Sequence, residues 1–279
     1  MASLFKKLGL AITFSPTGKA LLKETKRLSE IFNSGLVLIH VGEKNQETEK
    51  HLNEVIKNAG INSENVDVIR TEGDPANAIL ATSKKAGVDL LIAGALEKEK
   101  LIKYYIGSVA RKIMREASSS SLILKNPTLN PEPFKKFYVS TDFSPESEKT
   151  VRLTYEFALL EKAEEFVVIS DYNTPGLAST ILDSASIDDL ETTKKLWQAE
   201  EEEKLRLFLK ELNLKGMEIK MVSLYGKEGW EESNFARQNK ADIFAVTAPQ
   251  KRLKLIDRLF HHELEYSFEN LPSNLLIIR

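Results

Sequence analysis

Short apolar runs alternate with stretches of helical periodicity along the chain, and the whole series occurs twice. In the first half, β-rich apolar runs cover residues 9–13, 36–41, 66–70, 89–93 and 121–124. In the second half, they cover residues 137–141, 166–170, 218–223, 242–246 and 274–278. Such alternation is typical of α/β proteins in which helices connect parallel strands. We therefore predict two tandem, doubly wound parallel sheets of five strands each.

Local sequence matches support an internal repeat. The segment Thr13-Phe-Ser-Pro16 corresponds to Asp142-Phe-Ser-Pro145 at an offset of 129 residues, and residues 88–93 correspond to residues 241–246 at an offset of 153. The difference of 24 residues is assigned to an insertion at 172–212, where residues 188–212 are predicted to form one long amphipathic helix. The acidic run at 200–203 is predicted to be the solvated face of that helix.

A proline-rich segment separates the two halves. It contains Pro127, Pro131 and Pro133, and proline both lacks a backbone donor and favours an extended conformation in the residue before it. The segment is therefore predicted to be a stiff linker between a first domain at 1–129 and a second domain at 134–279. Because the linker is short, we expect the two domains to pack against each other.

Composition excludes several classes of protein. The 279 residues suffice for two domains, and the absence of cysteine excludes disulfides, thiolate metal sites and cysteine nucleophiles. A net charge of −2, from 39 basic and 41 acidic residues, offers no broad cationic surface for nucleic acid. No apolar stretch approaches the roughly 20 residues of a membrane span, and the first residues are predicted to form a buried strand rather than a signal peptide. A cytoplasmic protein is expected.

The fold predicts where a ligand would bind. Open parallel sheets bind ligands beyond the carboxyl ends of their strands, where the strand order reverses. With the order 3-2-1-4-5, this crevice lies beside Thr13 and the loop that Gly94 opens. Gly107 and Ser108 end that loop, and Ser108 is predicted to be the N-cap of the next helix, whose free amides favour a phosphate. The alternative is that Gly94 is only a turn and Gly107-Ser108 only a helix start.

Five short motifs, in the same order along the repeat, resemble the universal stress protein family. They are Asp142-x-Ser144 after the first strand, the strand that ends at Val41, Gly73-Asp-Pro75, the segment 89–94 and Gly107-Ser108. The resemblance spans nearly the whole chain, in tandem. It implies the flavodoxin-like fold of the adenine nucleotide α-hydrolases, with strand order 3-2-1-4-5. It also implies ATP or AMP as the ligand, with Mg²⁺ as an accompanying ion, and the cofactor-binding residues Thr13, Val41, Gly94, Gly107, Ser108 and, less directly, Asp142.

The chain departs from the family's nucleotide motif, which is Gly-x2-Gly-x9-Gly followed by Ser or Thr. Here the spacing runs Gly94-x2-Glu97-x9-Gly107-Ser108, so a glutamate replaces the middle glycine, and Thr13 stands where the family has an aspartate. A carboxylate near a phosphate opposes binding, although Lys98, Lys100 and Lys103 in the same loop could offset it. The second half keeps Asp142 but has no glycine after Gly229, so the resemblance implies one degenerate site, in the first domain.

The sequence contains little that indicates catalysis. Neither a Gly-x4-Gly-Lys-Ser/Thr loop nor a Gly-x-Gly-x2-Gly fingerprint occurs. Asp142 and Ser144 could form a nucleophile with His40 or His261 as base, but Asp-x-Ser followed by proline is also a helix-capping sequence, which we favour. Adjacent His261 and His262 point in different directions on a helix, so no metal site is expected there.

The leading expectation is a stress-response or regulatory module that acts by binding, with catalysis left open. The terminal strands 121–124 and 274–278 are expected to pair across the two domains, as strands do between subunits in this family. A protein partner and a homodimer are further expectations. Two alternatives stay open: an enzyme that cleaves ATP, and a ligand-free interaction protein whose partner surface is the insertion 172–212. Trp197 and Trp230 are expected to pack in a core or an interface.

Overall fold

The structure, a computed structural model, describes residues 3–12, 16–43, 45–61, 66–97, 104–105, 107–172, 187–226, 229–248 and 271–279. In the first half, the elements are β1 (Lys7–Ala11), α1 (Pro16–Phe32), β2 (Gly35–Val41), α2 (Gln46–Asn58), β3 (Val66–Thr71), α3 (Pro75–Lys85), β4 (Leu90–Gly94), β5 (Leu96–Glu97), β6 (Tyr104–Tyr105), α4 (Ser108–Glu116) and β7 (Ser120–Leu124). All five predicted strands are present. The two-residue strands β5 and β6, which pair antiparallel, are additional.

The described elements of the second half follow the same order of strands, but no helix between its last two strands is among the described residues. This half contains β8 (Lys136–Ser140), α5 (Pro145–Glu161), β9 (Glu165–Tyr172), α6 (Ile187–Leu212), β10 (Lys220–Tyr225), α7 (Trp230–Gln238), β11 (Ile243–Thr247) and β12 (Asn274–Ile278). The long helix predicted at 188–212 is confirmed as α6. Strand β7 ends before the proline-rich linker and β8 begins after it, which agrees with the predicted domain boundary, although the boundary itself stays a prediction.

The strands form one sheet of ten, in the order β10-β9-β8-β11-β12-β7-β4-β1-β2-β3. Each half therefore has the predicted order 3-2-1-4-5, and its strands are parallel. The halves join where β7 and β12 run antiparallel, with Leu122 opposite Leu276. This pairing confirms the expected meeting of the terminal strands. It also removes two exposed edges, since a free strand edge invites pairing with other chains.

Helices cover both faces of the sheet, as right-handed crossovers require. One face buries a core with α1, α2, α5 and α6, and the other buries a core with α3, α4 and α7. Successive residues of a strand point to opposite faces, so Leu38 belongs to the first core and Ile39 to the second. Strands buried on both faces are apolar without interruption, which explains why the sequence carries runs rather than alternating patterns. Within the described residues, no helix combines the length and apolarity that crossing a membrane requires.

The prediction that the whole acidic run at 200–203 is solvated is wrong for one of its four residues. Glu200, Glu202 and Glu203 are exposed, but Glu201 is buried, with 7% of its surface accessible. Glu201 lies one turn before Leu205, which is fully buried, so helical spacing places both on the stripe that faces the sheet. Its carboxylate forms an ion pair with Lys204 at 3.2 Å, which neutralises a charge that burial would otherwise penalise.

Trp197 is half-buried on this helix, whereas Trp230, at the start of α7, is 37% exposed. The prediction of core packing for Trp230 is therefore wrong. An interface role for either tryptophan stays a prediction.

A buried ion cluster joins the two halves on the first face. Arg27 of α1 donates two hydrogen bonds to Glu161 of α5, with N–O distances of 2.7 and 2.8 Å, and further hydrogen bonds to Glu24 of its own helix at 2.6–3.3 Å. The Arg27 guanidinium also lies 5.1 Å from the ring centre of Phe134, which directly follows the linker. Cation–π contact and bidentate pairing both favour arginine over lysine here.

Candidate functional site

A cavity of about 390 Å³ lies at the carboxyl ends of β1 and β4, where the strand order of the first half reverses. A volume of this size is within the range of small-ligand sites in proteins. The cavity is lined by Ala11, Ile12, Thr17, Leu21, Ile39, Val41, Pro75, Ile79, Ala93, Gly94, Ala95, Gly107, Ser108, Val109, Ala110 and Ile113. Parallel strands all end at the same edge, so residues distant in sequence meet there.

Four of the six predicted site residues line this cavity: Val41, Gly94, Gly107 and Ser108. Thr13 lies outside the described residues, although its neighbour Ile12 is part of the lining. Asp142 belongs to the second half and is not in the lining. The apolar wall residues Ile79 and Ile113 were not predicted, because in sequence they are indistinguishable from ordinary core positions of amphipathic helices.

The packing of α1 leaves little space beside Gly94. A Cβ atom added to Gly94 would lie 2.7 Å from Leu21 Cδ1, closer than side-chain carbons approach one another. The absence of a side chain therefore lets α1 pack closely on the end of β4. The sequence argument, in which glycine permits close approach of a ligand, identified the position but not this contact.

The first turn of α4 faces the cavity. Gly107 is the N-cap, with φ −58° and ψ 156°, and the helix begins at Ser108. The predicted role of Ser108 as N-cap is therefore wrong: the extended residue is Gly107, so Ser108 is already helical and its hydroxyl is not the cap. The first intrahelical hydrogen bond joins the Arg111 amide to the Gly107 carbonyl at 3.0 Å. The amides of Ser108, Val109 and Ala110 precede it and have no acceptor within the helix.

The site thus combines two chemical environments. The walls are formed by aliphatic side chains from β2, α3 and α4, and the described lining contains no charged side chain. The first turn of α4 adds amides that have no acceptor within the helix, together with the positive end of the helix dipole, and both attract an anion. Such a cavity suits a molecule with a flat or apolar body and one anionic group. Glu97 lies in β5, opposite Tyr104 of β6, and the three lysines of the same loop lie outside the described residues.

The corresponding position in the second half carries a polar contact. At the offsets of the internal repeat, Leu21 corresponds to Thr150 and Gly94 to Thr247. The hydroxyl groups of these two threonines lie 2.8 Å apart, within hydrogen-bonding distance. Where the first half has an apolar contact beside its cavity, the second half has a polar link between the end of β11 and α5.

Asp142 takes part in the start of α5. Its Oδ1 accepts hydrogen bonds from the Ser144 amide at 3.0 Å and from the Ser144 hydroxyl at 2.5 Å. Ser144 is the N-cap of α5, accepts a hydrogen bond from the Ser147 amide at 3.2 Å, and precedes Pro145 in the first turn. Burial raises the pKa of Asp142, but the hydrogen bonds from Ser144 outweigh it and hold the pKa below its usual range. The helix-capping interpretation of this motif is confirmed.

No described contact supports the nucleophile hypothesis. His40 is buried in the first half, with Nδ1 3.3 Å from the Ile12 carbonyl oxygen, whereas Ser144 contacts Asp142 and Ser147. His261 and His262 lie outside the described residues. Within the described part of the chain, no group of three or more His, Asp or Glu side chains has an arrangement that could hold a metal ion.

Comparison with known proteins supports the fold of the whole chain and finds a family match within the first half. Residues 42–125, from the end of β2 through β7, match the Universal stress protein family. A protein of Pseudomonas aeruginosa UCBPP-PA14 assigned to the universal stress proteins has the same fold with a TM-score of 0.72 and 19% identity, covering 98% of this chain and 93% of the relative. A functionally unknown protein from Pseudomonas aeruginosa PAO1 gives 0.71 and 19%, covering 98% and 92%.

A universal stress protein from Archaeoglobus fulgidus DSM 4304 gives a TM-score of 0.63 at 15% identity, covering 100% of this chain and 99% of the relative. A comparison with curated proteins finds no match. At these identities the solved structures show the fold alone, and the sequence match is confined to residues 42–125. Residues 42–125 of this chain are thus similar to the universal stress protein family, and the whole chain shares the fold of the three solved structures.

Proposed function

We propose that this protein is a stress-response regulatory module that binds one adenine nucleotide, in the cavity of its first half. The observation that carries the proposal is the cavity itself, with the first-turn amides of α4 at one end and aliphatic walls around the rest. The location agrees with the general rule for open parallel sheets, whose ligands bind where the strand order reverses.

Each of the two environments of the site accommodates a different part of the nucleotide. The adenine ring packs against aliphatic side chains, among which Val41 lies at the end of β2. A phosphate accepts hydrogen bonds from the amides that follow Gly107, supported by the dipole of α4. Thr13, in the place of the family's aspartate, contributes a hydroxyl in this proposal. ATP and AMP both meet these requirements, and Mg²⁺ would accompany ATP by binding its phosphates.

One nucleotide per chain is the expected stoichiometry. The second half lacks glycines after Gly229, and its crevice carries the hydrogen bond between Thr150 and Thr247. Asp142, the family's aspartate position, is engaged by Ser144 at the start of α5. These features favour a second half that supports the first rather than binding a nucleotide of its own.

Calorimetric titration with ATP and AMP, with and without Mg²⁺, tests the proposal. Saturable binding with a stoichiometry of one is expected. The Ser108→Glu variant adds a carboxylate to the first turn of α4, where it stabilises the helix but repels a phosphate. Two like charges about 4 Å apart repel by roughly 1 to 4 kcal/mol, so affinity should fall between about fivefold and several hundredfold.

Gln46→Glu is the matched control, because it adds the same charge to the exposed first residue of α2, away from the cavity lining. Its affinity for ATP should equal that of the unmodified protein. Absence of saturable binding in the unmodified protein, or equal affinities for the two glutamate variants, would refute the proposed site. Release of ADP in proportion to protein would add a catalytic activity that the proposal does not require.

A further inference from the structure

Across the seam between the two halves, where β7 pairs with β12, each half contributes a basic residue that contacts the other half. Arg279 follows β12, and its Nη2 donates to the carbonyl oxygens of Met114 and Arg115 at the end of α4, both at 3.0 Å. In the opposite direction, Lys125 follows β7 and its Nζ donates to the carbonyl oxygen of Leu271 at 3.0 Å. The antiparallel register of β7 and β12 relates these two contacts by an approximate twofold axis.

Arg279 is held firmly against α4. Its amide donates to Ser120 Oγ at 3.2 Å, at the start of β7, and its carbonyl oxygen accepts a hydrogen bond from Lys149 of α5. The last carbonyls of a helix have no partner within the helix, and a basic side chain that binds them also complements the negative end of the dipole. The second half therefore supplies the C-terminal cap of a helix that belongs to the first half.

Helix α4 connects this cap to the cavity. It spans nine residues, a length of about 13 Å, with its first turn in the cavity and its last turn under Arg279. Ala110 and Ile113 line the cavity from the same helix, and Ile113 is fully buried. A nine-residue helix is a short rigid element, so a displacement of its last turn also displaces the cavity amides of its first turn.

We infer that Arg279 is a positioning residue for the first-half site: by clamping the end of α4, the second half sets the affinity of that site for its anionic ligand. The inference rests on the proposed function for the identity of the ligand. It gives the tandem arrangement a role, since a first half on its own lacks this clamp. Because binding couplings are reciprocal, a ligand at the first turn of α4 also strengthens the Arg279 contact.

The test compares Arg279→Gln with Lys125→Gln, which removes the equivalent contact across the seam without touching α4. Two measurements are made on the full chain: ATP affinity by calorimetry, and amide hydrogen exchange of α4. Arg279→Gln should weaken ATP binding by about fivefold or more and speed exchange of residues 111–116. Lys125→Gln should change neither. Arg279→Lys, which keeps a donor and the charge, should recover most of the affinity.

The outcomes separate this inference from the proposed function. If the unmodified protein binds no ATP, the proposed function fails, and the exchange of α4 in the two glutamine variants still decides whether the clamp exists. Equal ATP affinity and equal exchange in Arg279→Gln and the unmodified protein would overturn the inference. So would an equal effect of Lys125→Gln on α4, because it would indicate general loosening of the two halves. Circular dichroism of each variant checks that it folds.

Discussion

Replacing Arg27 by methionine tests the buried ion cluster between the two halves. Methionine keeps an apolar chain of similar length but removes the guanidinium that Glu24 and Glu161 share. The Glu161 side chain has no accessible surface and that of Glu24 only 6%, so neither carboxylate can be hydrated in place of the lost partner. The two carboxylates would also repel each other, since Arg27 bridges them in the native protein.

The expected loss of stability is large. Leaving a buried charge without its partner costs about 3–5 kcal/mol, and the contact with the Phe134 ring adds roughly 0.5–1 kcal/mol. Against a typical folding free energy of about 5–15 kcal/mol, this is a substantial fraction. Equilibrium unfolding in urea at pH 7, followed by circular dichroism, measures it as a lower midpoint.

A triple variant separates the charge from the packing. Arg27→Met combined with Glu24→Gln and Glu161→Met removes every charge of the cluster, and such replacements are often neutral or stabilising. We expect the triple variant to recover most of the stability that the single variant loses. A loss below about 1 kcal/mol in the single variant, or a triple variant less stable than the single one, would refute the account of this cluster as a mutually dependent buried unit.

Three further predictions concern single positions. Burial, together with the charge of Glu161, raises the pKa of Glu24 above its ordinary value of 4.5 although Arg27 lowers it. The contribution of this group to stability is therefore present at low pH and lost as pH rises through the folded-state pKa. Unfolding free energies of Glu24→Gln measured from pH 4.5 to 7 should therefore change less with pH than those of the unmodified protein. Ser144→Ala should lower the free energy of unfolding in urea by about 1 kcal/mol, because it removes the N-cap of α5. Ser108→Ala removes no cap and should lower it by less than about 0.5 kcal/mol. Equal losses in the two variants would contradict the assigned helix starts. Gly94→Ala should lower stability by about 1–3 kcal/mol, because the added methyl group collides with Leu21. The loss should be smaller when Leu21 is also replaced by alanine. If the effects of Gly94→Ala and Leu21→Ala on thermal unfolding are simply additive, the contact between the two residues is contradicted.

The sequence predicted the elements well because their signals are local. Each strand buried on both faces carries a continuous apolar run, and the strand boundaries predicted from the sequence differ from the structure by two residues or fewer at every end. The capping sequence at Ser144 predicted the start of α5 for the same reason, since a cap and its helix lie within four residues. The prediction of Ser108 as the N-cap of α4 was wrong because glycine and serine are both acceptable N-caps. Only the backbone angles distinguish the last extended residue from the first helical one.

The site was predicted in outline only. The carboxyl ends of β1 and β4 follow from the strand order, and so does the participation of Gly94, Gly107 and Ser108. The aliphatic walls did not follow, because a residue such as Ile113 has the same helical spacing whether it contacts core or cavity. The exposure of Glu201 was mispredicted for a similar reason. An acidic run predicts exposed side chains, but Glu201 lies on the same buried stripe of the helix as Leu205 and is itself buried.

By itself, the sequence determined that this chain contains two α/β units, where their strands and helices lie, and which edge of the first sheet carries the candidate site. These properties depend on periodicity and on residues close together in the chain. Only the tertiary structure decided the ion cluster of Arg27 with Glu161, the link between Thr150 and Thr247, and the cap that Arg279 places on α4. Each joins residues about 100 or more positions apart, and no local pattern specifies such a contact before the order and register of the strands bring its partners together.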